Sequence, residues 1–272
     1  TKIYSAPSCD SLGYFYGRIT GLLGFKPMRH EGKITGLAAF GDPHKALPLM
    51  EKMIGVEDGA LIANLGNYYR PFFEPYSDNL IKEINRFSKE DVAAAAQLHL
   101  ERCLCKLLSH HLENQSISEA NLMLAGGVFG NVKATEALKK LDEVDQVFVQ
   151  PQMGDGGLCL GAGALFNHLQ GIPTKPLKNM YLGPEIGDDN SVYLNDDDLV
   201  VKNATNPEDQ FCQDLLDGKV IGLAKGRMEF GPRALCNRSI IYKTSDNSIN
   251  DWLNKRMNRT EFMPFAPVIR AE

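Results

Sequence analysis

The chain has 272 residues, 43% apolar and 23% charged, enough for one large core or two modest ones and too apolar for wholesale disorder. With 29 basic against 34 acidic residues the net charge is −5, which argues against a protein that coats nucleic acid. No apolar run reaches the roughly 18–20 residues of a membrane span. No stretch reads as a secretory signal. Cysteines at positions 9, 103, 105, 159, 212 and 236 form no CxxC pair, so reduced thiols and a cytoplasmic location are expected. The first residues are Thr1-Lys2-Ile3-Tyr4, without an initiator methionine, so a piece of a longer protein is expected.

In chain order, Gly13, Gly17, Gly21 and Gly24 recur at near-helical spacing within an apolar stretch, which suggests a closely packed helix. His30-Glu31-Gly32-Lys33 reads as a polar turn before Ile34–Phe40. Ser88 is a candidate N-cap with Glu90 and Asp91 in the first turn. Val92, Ala95, Ala96, His99, Cys103 and Leu107 follow a 3.6-residue period, predicting a long helix to about Leu112. Strands are expected at 121–125 and 146–149, with helices at 131–141 and 158–169. That βαβα order argues for an α/β sheet with crossover helices. Pro173, Pro176 and Pro184, with Asp188-Asp189 and Asp196-Asp197-Asp198, give residues 171 to about 205 the composition of a linker, so a first domain is expected at 1–176, a junction at 177–205 and a second domain at 206–272. In the second, helices are expected at 210–217 and 248–257 and strands at 220–224 and 239–242, over a thin core.

Three places could carry chemistry. Gly126-Gly127 and Gly154-Asp155-Gly156-Gly157 each lie between a strand and a helix. Such turns hold ligands at the carboxyl ends of strands in open α/β sheets, with glycine admitting a nucleotide closely and Asn131 able to meet a ribose or base. Ordinary left-handed turns are the alternative. Asp155 can ligate a metal or cap the helix that follows. The densest stretch runs from Lys225 to Ser239 and holds Arg227, Arg233 and Arg238, whose planar forks suit phosphate or carboxylate. Glu229 is placed to pair with one of these arginines. A solvated loop with surface ion pairs is the competing reading. His99 and Cys103 stand one helical turn apart, as zinc ligands can, yet lie on the apolar stripe and read as core. Cys159 also reads as core. No HExxH, GxSxG or GxxxxGK[ST] motif is present.

Together these segments resemble the O-carbamoyltransferases of the nodulation NodU, cephamycin and tobramycin type. Ser11–Phe25 is similar to that family's "SLGLLYSAFTYYLGF", and Glu31–Ala38 to "EGKVMGLAPYG". Leu124–Val128 with Asn131 resembles "LAGGVALN", and Gly154–Ala162 resembles "GDAGGALGAA". Tyr181-Leu182-Gly183-Pro184 is similar to the family's domain junction. Gly226–Ser239 resembles "GRMEFGPRALGNRSI", and Phe262–Pro267 resembles "FRPFAP". The matches run in order over nearly the whole chain, and the arginine-rich one is the most specific.

The resemblance implies the later part of an actin/hexokinase-like (ASKHA) ATPase domain followed by the beginning of a YrdC-like domain. It implies ATP and a divalent metal, iron or magnesium, as cofactors. Carbamoyl phosphate and a hydroxyl-bearing small molecule or sugar would be the other substrates, with carbamoyl adenylate between. Carried over by position, Gly126, Gly127, Val128 and Asn131 would line the nucleotide pocket, with Glu31 and Lys33 beside it. Arg227, Arg233, Asn237 and Arg238 would bind carbamoyl phosphate or ATP phosphates, and Asp155 would be a metal ligand. The family's HxxxH metal motif and most of the YrdC-like domain have no counterpart here, so this stretch by itself is expected to be inactive or severely impaired. Cys236 stands where the family pattern has glycine, and it is strained if that position needs a positive φ. A sugar or acetate kinase, or a nucleotide-binding tRNA-modification partner of the threonylcarbamoyl type, are the alternatives. A homodimer stays open, and neither membrane nor nucleic acid is an expected partner.

Overall fold

The computed structural model describes residues 1–186, 200, 202–244, 248–259 and 265–269. The expected acidic runs at 188–189 and 196–198, and Phe262, Met263 and Pro264, lie outside the described residues. Chain contacts divide the protein into two units, residues 1–150 with 249–272, and residues 151–248. This division does not coincide with the compositional boundaries at 176 and 205.

The first unit opens with α1 (Leu12–Leu22), whose N-cap is Ser11. It buries Phe15 and Ile19 completely, each contributing about 1.5–3 kcal/mol of apolar burial. The segment expected as a polar turn is instead the start of α2 (Glu31–Leu37), with His30 at the N-cap. An acid in the first turn favours that helix through the dipole. The Glu31 carboxylate also ties the helix to the preceding turn by accepting from Met28 N–H at 2.5 Å. Three further pieces follow that are not among the expected elements. These are α3 (Pro43–Glu51), a hairpin of β1 (Ile54–Glu57) and β2 (Ala60–Ala63), and α4 (Asp78–Ile84). Pro48 inside α3 conceals its helical period. The hairpin turns on Asp58-Gly59 with φ of 46° and 74°, the both-positive pattern that Asp-Gly favours.

The long helix α5 (Lys89–Asn114) is the spine of this unit. Ser88 caps it, its hydroxyl accepting from Asp91 N–H at 3.1 Å. Its buried face comprises Val92, the alanines 93–96, Leu100, Cys103 and Leu104. Asp91 fastens α3 to it by accepting from Asp42 N–H at 2.8 Å and Lys45 Nζ at 2.9 Å. The Asp42 N–H, then Lys45, hold the Asp91 carboxyl below the usual range. Next come β3 (Ala120–Leu124), α6 (Val132–Lys139) and β4 (Val144–Val149). The strands pair in parallel, Leu122 opposite Val147, so α6 is a true crossover helix. Leu122 and Leu124 pack on the core, while Met123 on the other face is 83% exposed.

The second unit holds α7 (Leu158–Leu169), α8 (Pro207–Leu216) and an antiparallel pair, β5 (Ile221–Ala224) with β6 (Arg238–Ile241). Helix α7 buries none of its side chains. Cys159, read as core from its apolar neighbours, is exposed for that reason, its thiol donating to Gly156 O at 3.2 Å. Among the described residues of this unit the buried side chains are Glu229 and Asn237, both polar. The last helix, α9 (Ser248–Arg256), buries Leu253 and Asn254. Taken together, the described residues form a mixed α/β structure with three two-stranded sheets. Among them no helix is long and apolar enough to cross a membrane.

Candidate nucleotide and anion sites

Between β3 and α6 the chain makes a turn that starts at Gly126 with φ 115° and ψ 148°, a conformation closed to residues with a Cβ. A single 3-10 turn, Gly127–Gly130, follows. A Cβ added at Gly127 would meet nothing within 4 Å, so open space lies beside the backbone there. Val128 packs partly buried against the core and anchors the turn from below.

Asn131 faces inward. Its Oδ1 caps α6, accepting from Lys133 and Ala134 N–H, both at 3.1 Å. The same oxygen accepts from Gln97 Nε2 at 3.1 Å, and its Nδ2 donates to Gln97 Oε1 at 2.8 Å. A second Nδ2 bond runs to Thr35 Oγ1 at 3.3 Å. Every polar atom of the side chain therefore already has a protein partner. These bonds make Asn131 the cap of α6 and the partner of the Gln97 amide, a role not expected from the sequence. Tyr16 completes the cluster, donating from its hydroxyl to Gln97 Oε1 at 2.7 Å and lying 3.1 Å from Thr35 Oγ1. Burial pushes the Tyr16 phenol well above its ordinary value. Neither Tyr16 nor Gln97 stood out in the sequence; only their positions on the buried faces of α1 and α5 hinted at a role.

Glu31 and Lys33 are placed by α2. Glu31 holds the Met28 turn, and Lys33 Nζ sits 5.7 Å from the centre of the Phe25 ring, in cation–π range. Asp155 is exposed on a short 3-10 turn, Asp155–Gly157, and makes no cap bond to α7. Among the described residues no group of three or more His, Cys, Asp or Glu side chains could hold a metal ion. A lone carboxylate does not make a metal site, so the described residues do not fit a resident metal by themselves. His99 and Cys103 are core, as expected. His99 Nε2 lies 2.7 Å from Ile54 O, and burial lowers its pKa while raising the Cys103 thiol to about 11.

The arginine-rich loop joins β5 to β6 and closes on Glu229. The carboxylate Oε1 accepts from three backbone N–H groups, those of Leu235 at 2.8 Å, Asn237 at 2.6 Å and Arg238 at 3.0 Å. Burial opposes its ionisation, but these bonds and that of its own N–H win and hold the carboxyl at about 2. The sequence suggested that Glu229 steadies an arginine side chain; what it organises instead is the loop backbone, because the chain curls its amides inward around it. Asn237 Nδ2 closes the loop further by donating to Arg227 O at 2.7 Å.

The arginines Arg227 and Arg238 grip carbonyls. Arg227 donates from Nε to Gly183 O at 3.0 Å and from Nη2 to Leu182 O at 2.9 Å. Arg238 donates to the carbonyls of Lys225, Asn237 and Gly226 at 2.7–3.1 Å. Among the described residues neither has a carboxylate within ion-pair range. Arg233 is exposed on the same loop. Tyr181–Pro184 docks along this loop as a short extended segment. Gly183 N–H donates to Met228 O and Met228 N–H to Pro184 O, both at 2.9 Å, and Tyr181 Oη donates to Leu235 O at 2.9 Å. A Cβ on Gly183 would lie 2.9 Å from Met228 O, so only glycine allows this approach. Cys236 has φ 71°, the strained left-handed conformation that the glycine of the family pattern would adopt freely.

The first unit thus carries a parallel strand–helix–strand unit with a glycine turn, and the second an arginine-rich loop folded on one acid. A carbamoyltransferase N-terminus model matches residues 2–164, and a carbamoyltransferase C-terminus model matches residues 212–272. The chain belongs to the carbamoyltransferase family. It is 34% identical to nodulation protein NolNO of Sinorhizobium fredii, over 98% of this chain and 40% of that protein. It is 33% identical to an uncharacterized protein of Methanocaldococcus jannaschii, over 96% of this chain and 51% of that protein. Against the 3'-hydroxymethylcephem-O-carbamoyltransferase of Amycolatopsis lactamdurans it is 29% identical, over 92% of this chain and 46% of that protein. The chain thus spans about half the length of the curated relatives it matches.

Proposed function

We propose that the protein takes part in ATP-dependent O-carbamoyl transfer. In this reading water hydrolyses carbamoyl phosphate to carbamate and phosphate, and the carbamate oxygen attacks the α-phosphate of ATP, giving carbamoyl adenylate and releasing pyrophosphate. A hydroxyl of a small molecule or sugar then attacks the carbamoyl carbon and AMP leaves. The first unit is read as the later part of an actin/hexokinase-like ATPase domain, and the arginine loop as belonging to a YrdC-like domain. The observation that carries the proposal is the loop at Gly226–Ser239, which lies within the carbamoyltransferase C-terminus match and keeps two guanidinium charges without a carboxylate partner among the described residues.

In this proposal Arg227, Arg233, Asn237 and Arg238 form the phosphate subsite. Arg227 and Arg238 present fork donors while their carbonyl contacts hold them in place. The first-unit turn Gly126-Gly127-Val128 receives the nucleotide, and Asn131 holds that turn rather than touching the ligand. Glu31 and Lys33 sit on α2, whose Thr35 shares the Asn131 network. Binding of a divalent metal would need more ligands than Asp155 supplies.

Phosphorus NMR of ATP and carbamoyl phosphate incubated with the protein tests this directly. Pyrophosphate formed only when both substrates are present is the expected result. ADP in its place would identify a kinase and overturn the transferase reading.

A further inference from the structure

We infer that Gln97 is a positioning residue for the nucleotide turn, and that Glu101 sets the direction in which it works. The inference deepens the proposed function and rests on its reading of Gly126–Val128 as a nucleotide site.

A side-chain amide can point either way round, and its two ends differ only in whether they donate or accept. Asn131 must present oxygen, not NH2, to the Lys133 and Ala134 N–H groups for α6 to be capped. Gln97 imposes that choice. Its Nε2 donates to Asn131 Oδ1 at 3.1 Å while its Oε1 accepts from Asn131 Nδ2 at 2.8 Å. A flipped Asn131 would set NH2 against NH2 and oxygen against oxygen in that pair.

Gln97 could itself flip, and the pair would then reverse together. One contact prevents this, and a second is compatible with either arrangement. Glu101, one turn along α5, accepts from Gln97 Nε2 at 2.7 Å, and an ionised carboxylate can only accept. Tyr16 Oη donates to Gln97 Oε1 at 2.7 Å. Thr35 and Tyr16 carry hydroxyls, which adapt to either orientation, so among these partners the acceptor-only Glu101 breaks the symmetry. Gln97 is 6% exposed, and its four bonds leave no role for water in holding it. The order of control runs from Glu101 through Gln97 and Asn131 to the start of α6. The turn Gly126–Gly130 immediately precedes that start, so its backbone is held by a helix 34 residues away in sequence. A turn fixed before ligand arrives does not lose order on binding, which favours affinity.

The test uses the intact protein with Gln97→Leu, Glu101→Gln and Glu101→Ala. Amide hydrogen exchange is followed site by site, and ATP affinity is measured by calorimetry with magnesium present. In Gln97→Leu, exchange at Lys133, Ala134 and the 126–130 turn should accelerate, while the β1–β2 hairpin stays as before. ATP affinity should fall on the order of tenfold. Glu101→Gln, which no longer presents acceptors alone, and Glu101→Ala should both fall between the unaltered protein and Gln97→Leu, and either one matching the unaltered protein would overturn the role of Glu101. Unchanged exchange at the turn in Gln97→Leu would overturn the inference, as would faster exchange with ATP affinity intact. Faster exchange spread evenly over the first unit would also overturn it, since that is loss of stability alone. Failure of the unaltered protein to bind ATP would sink the nucleotide reading, and the exchange pattern would still decide whether Gln97 holds the turn.

Discussion

The glycine turn of the first unit and the arginine loop of the second solve one problem in opposite ways. Each must hold an irregular stretch of backbone in a single shape. The arginine loop does so from within: Glu229 gathers N–H groups six to nine residues ahead of it, and Asn237 reaches back to Arg227 O. The glycine turn is held from outside, by Gln97 on α5 and Thr35 on α2, 34 and 96 residues from Asn131. The difference teaches that a recognisable motif side chain can serve to hold its own backbone, from within the loop or through a distant helix. The sequence suggests a ligand for Asn131 and an arginine for Glu229, and in the structure both hold backbone N–H groups.

The largest expected effect separates the two regions cleanly. Glu229→Ala removes the common acceptor of three backbone N–H groups, so carbamoyl phosphate affinity should drop by roughly tenfold or more, measured by calorimetry. ATP affinity, if held by the first-unit turn, should stay nearly constant; equal losses of both would break the comparison.

Acid should act on the same side of it. Glu229 ionises at about 2 in the folded loop against an ordinary 4.5, so the folded form holds its proton less tightly than the unfolded chain. Its stabilising contribution is therefore complete above the ordinary value and is lost as pH falls from about 4.5 through about 2. Amide exchange at Leu235, Asn237 and Arg238 should show excess opening over that window that Glu229→Gln does not share.

For the first region, Asn131→Ala should cost about 1–2 kcal/mol in urea unfolding, through the lost cap and the stranded Gln97 amide. A loss confined to a few tenths would mean that Gln97 finds another partner and that the outside support is weaker than its geometry implies. The smallest effect sharpens the second region. Cys236→Gly should stabilise by about 1 kcal/mol, by relieving the positive φ, and should leave anion affinity unchanged. Destabilisation would show that the cysteine side chain contributes packing that outweighs the strain.

Much of this was legible in the residues alone. The Ser88 cap and the 3.6-residue period announced α5, and alternating glycine turns and apolar runs announced β3, α6, β4 and α7. Cys236 at a family glycine position raised the question of a positive φ, and the structure has φ 71° there. Signals of this kind act over a few residues, so sequence order preserves them. The start of α2 was misjudged because His30–Lys33 is polar, and polarity does not distinguish a turn from a first helical turn. The hairpin at Asp58-Gly59 carried a short-range signal that went unused.

What the sequence determined by itself is the family, the order of elements from α5 to α7 and the location of the two irregular stretches, because motif residues and periodicity are local. Only the tertiary structure decided what the side chains of those stretches do. The reciprocal pair of Gln97 and Asn131 depends on α5 lying against the start of α6, and the docking of Tyr181–Pro184 depends on the absence of a Cβ at Gly183 beside Met228. Hydrogen bonds across such separations are set by packing, and packing is written across the whole fold rather than in any one segment.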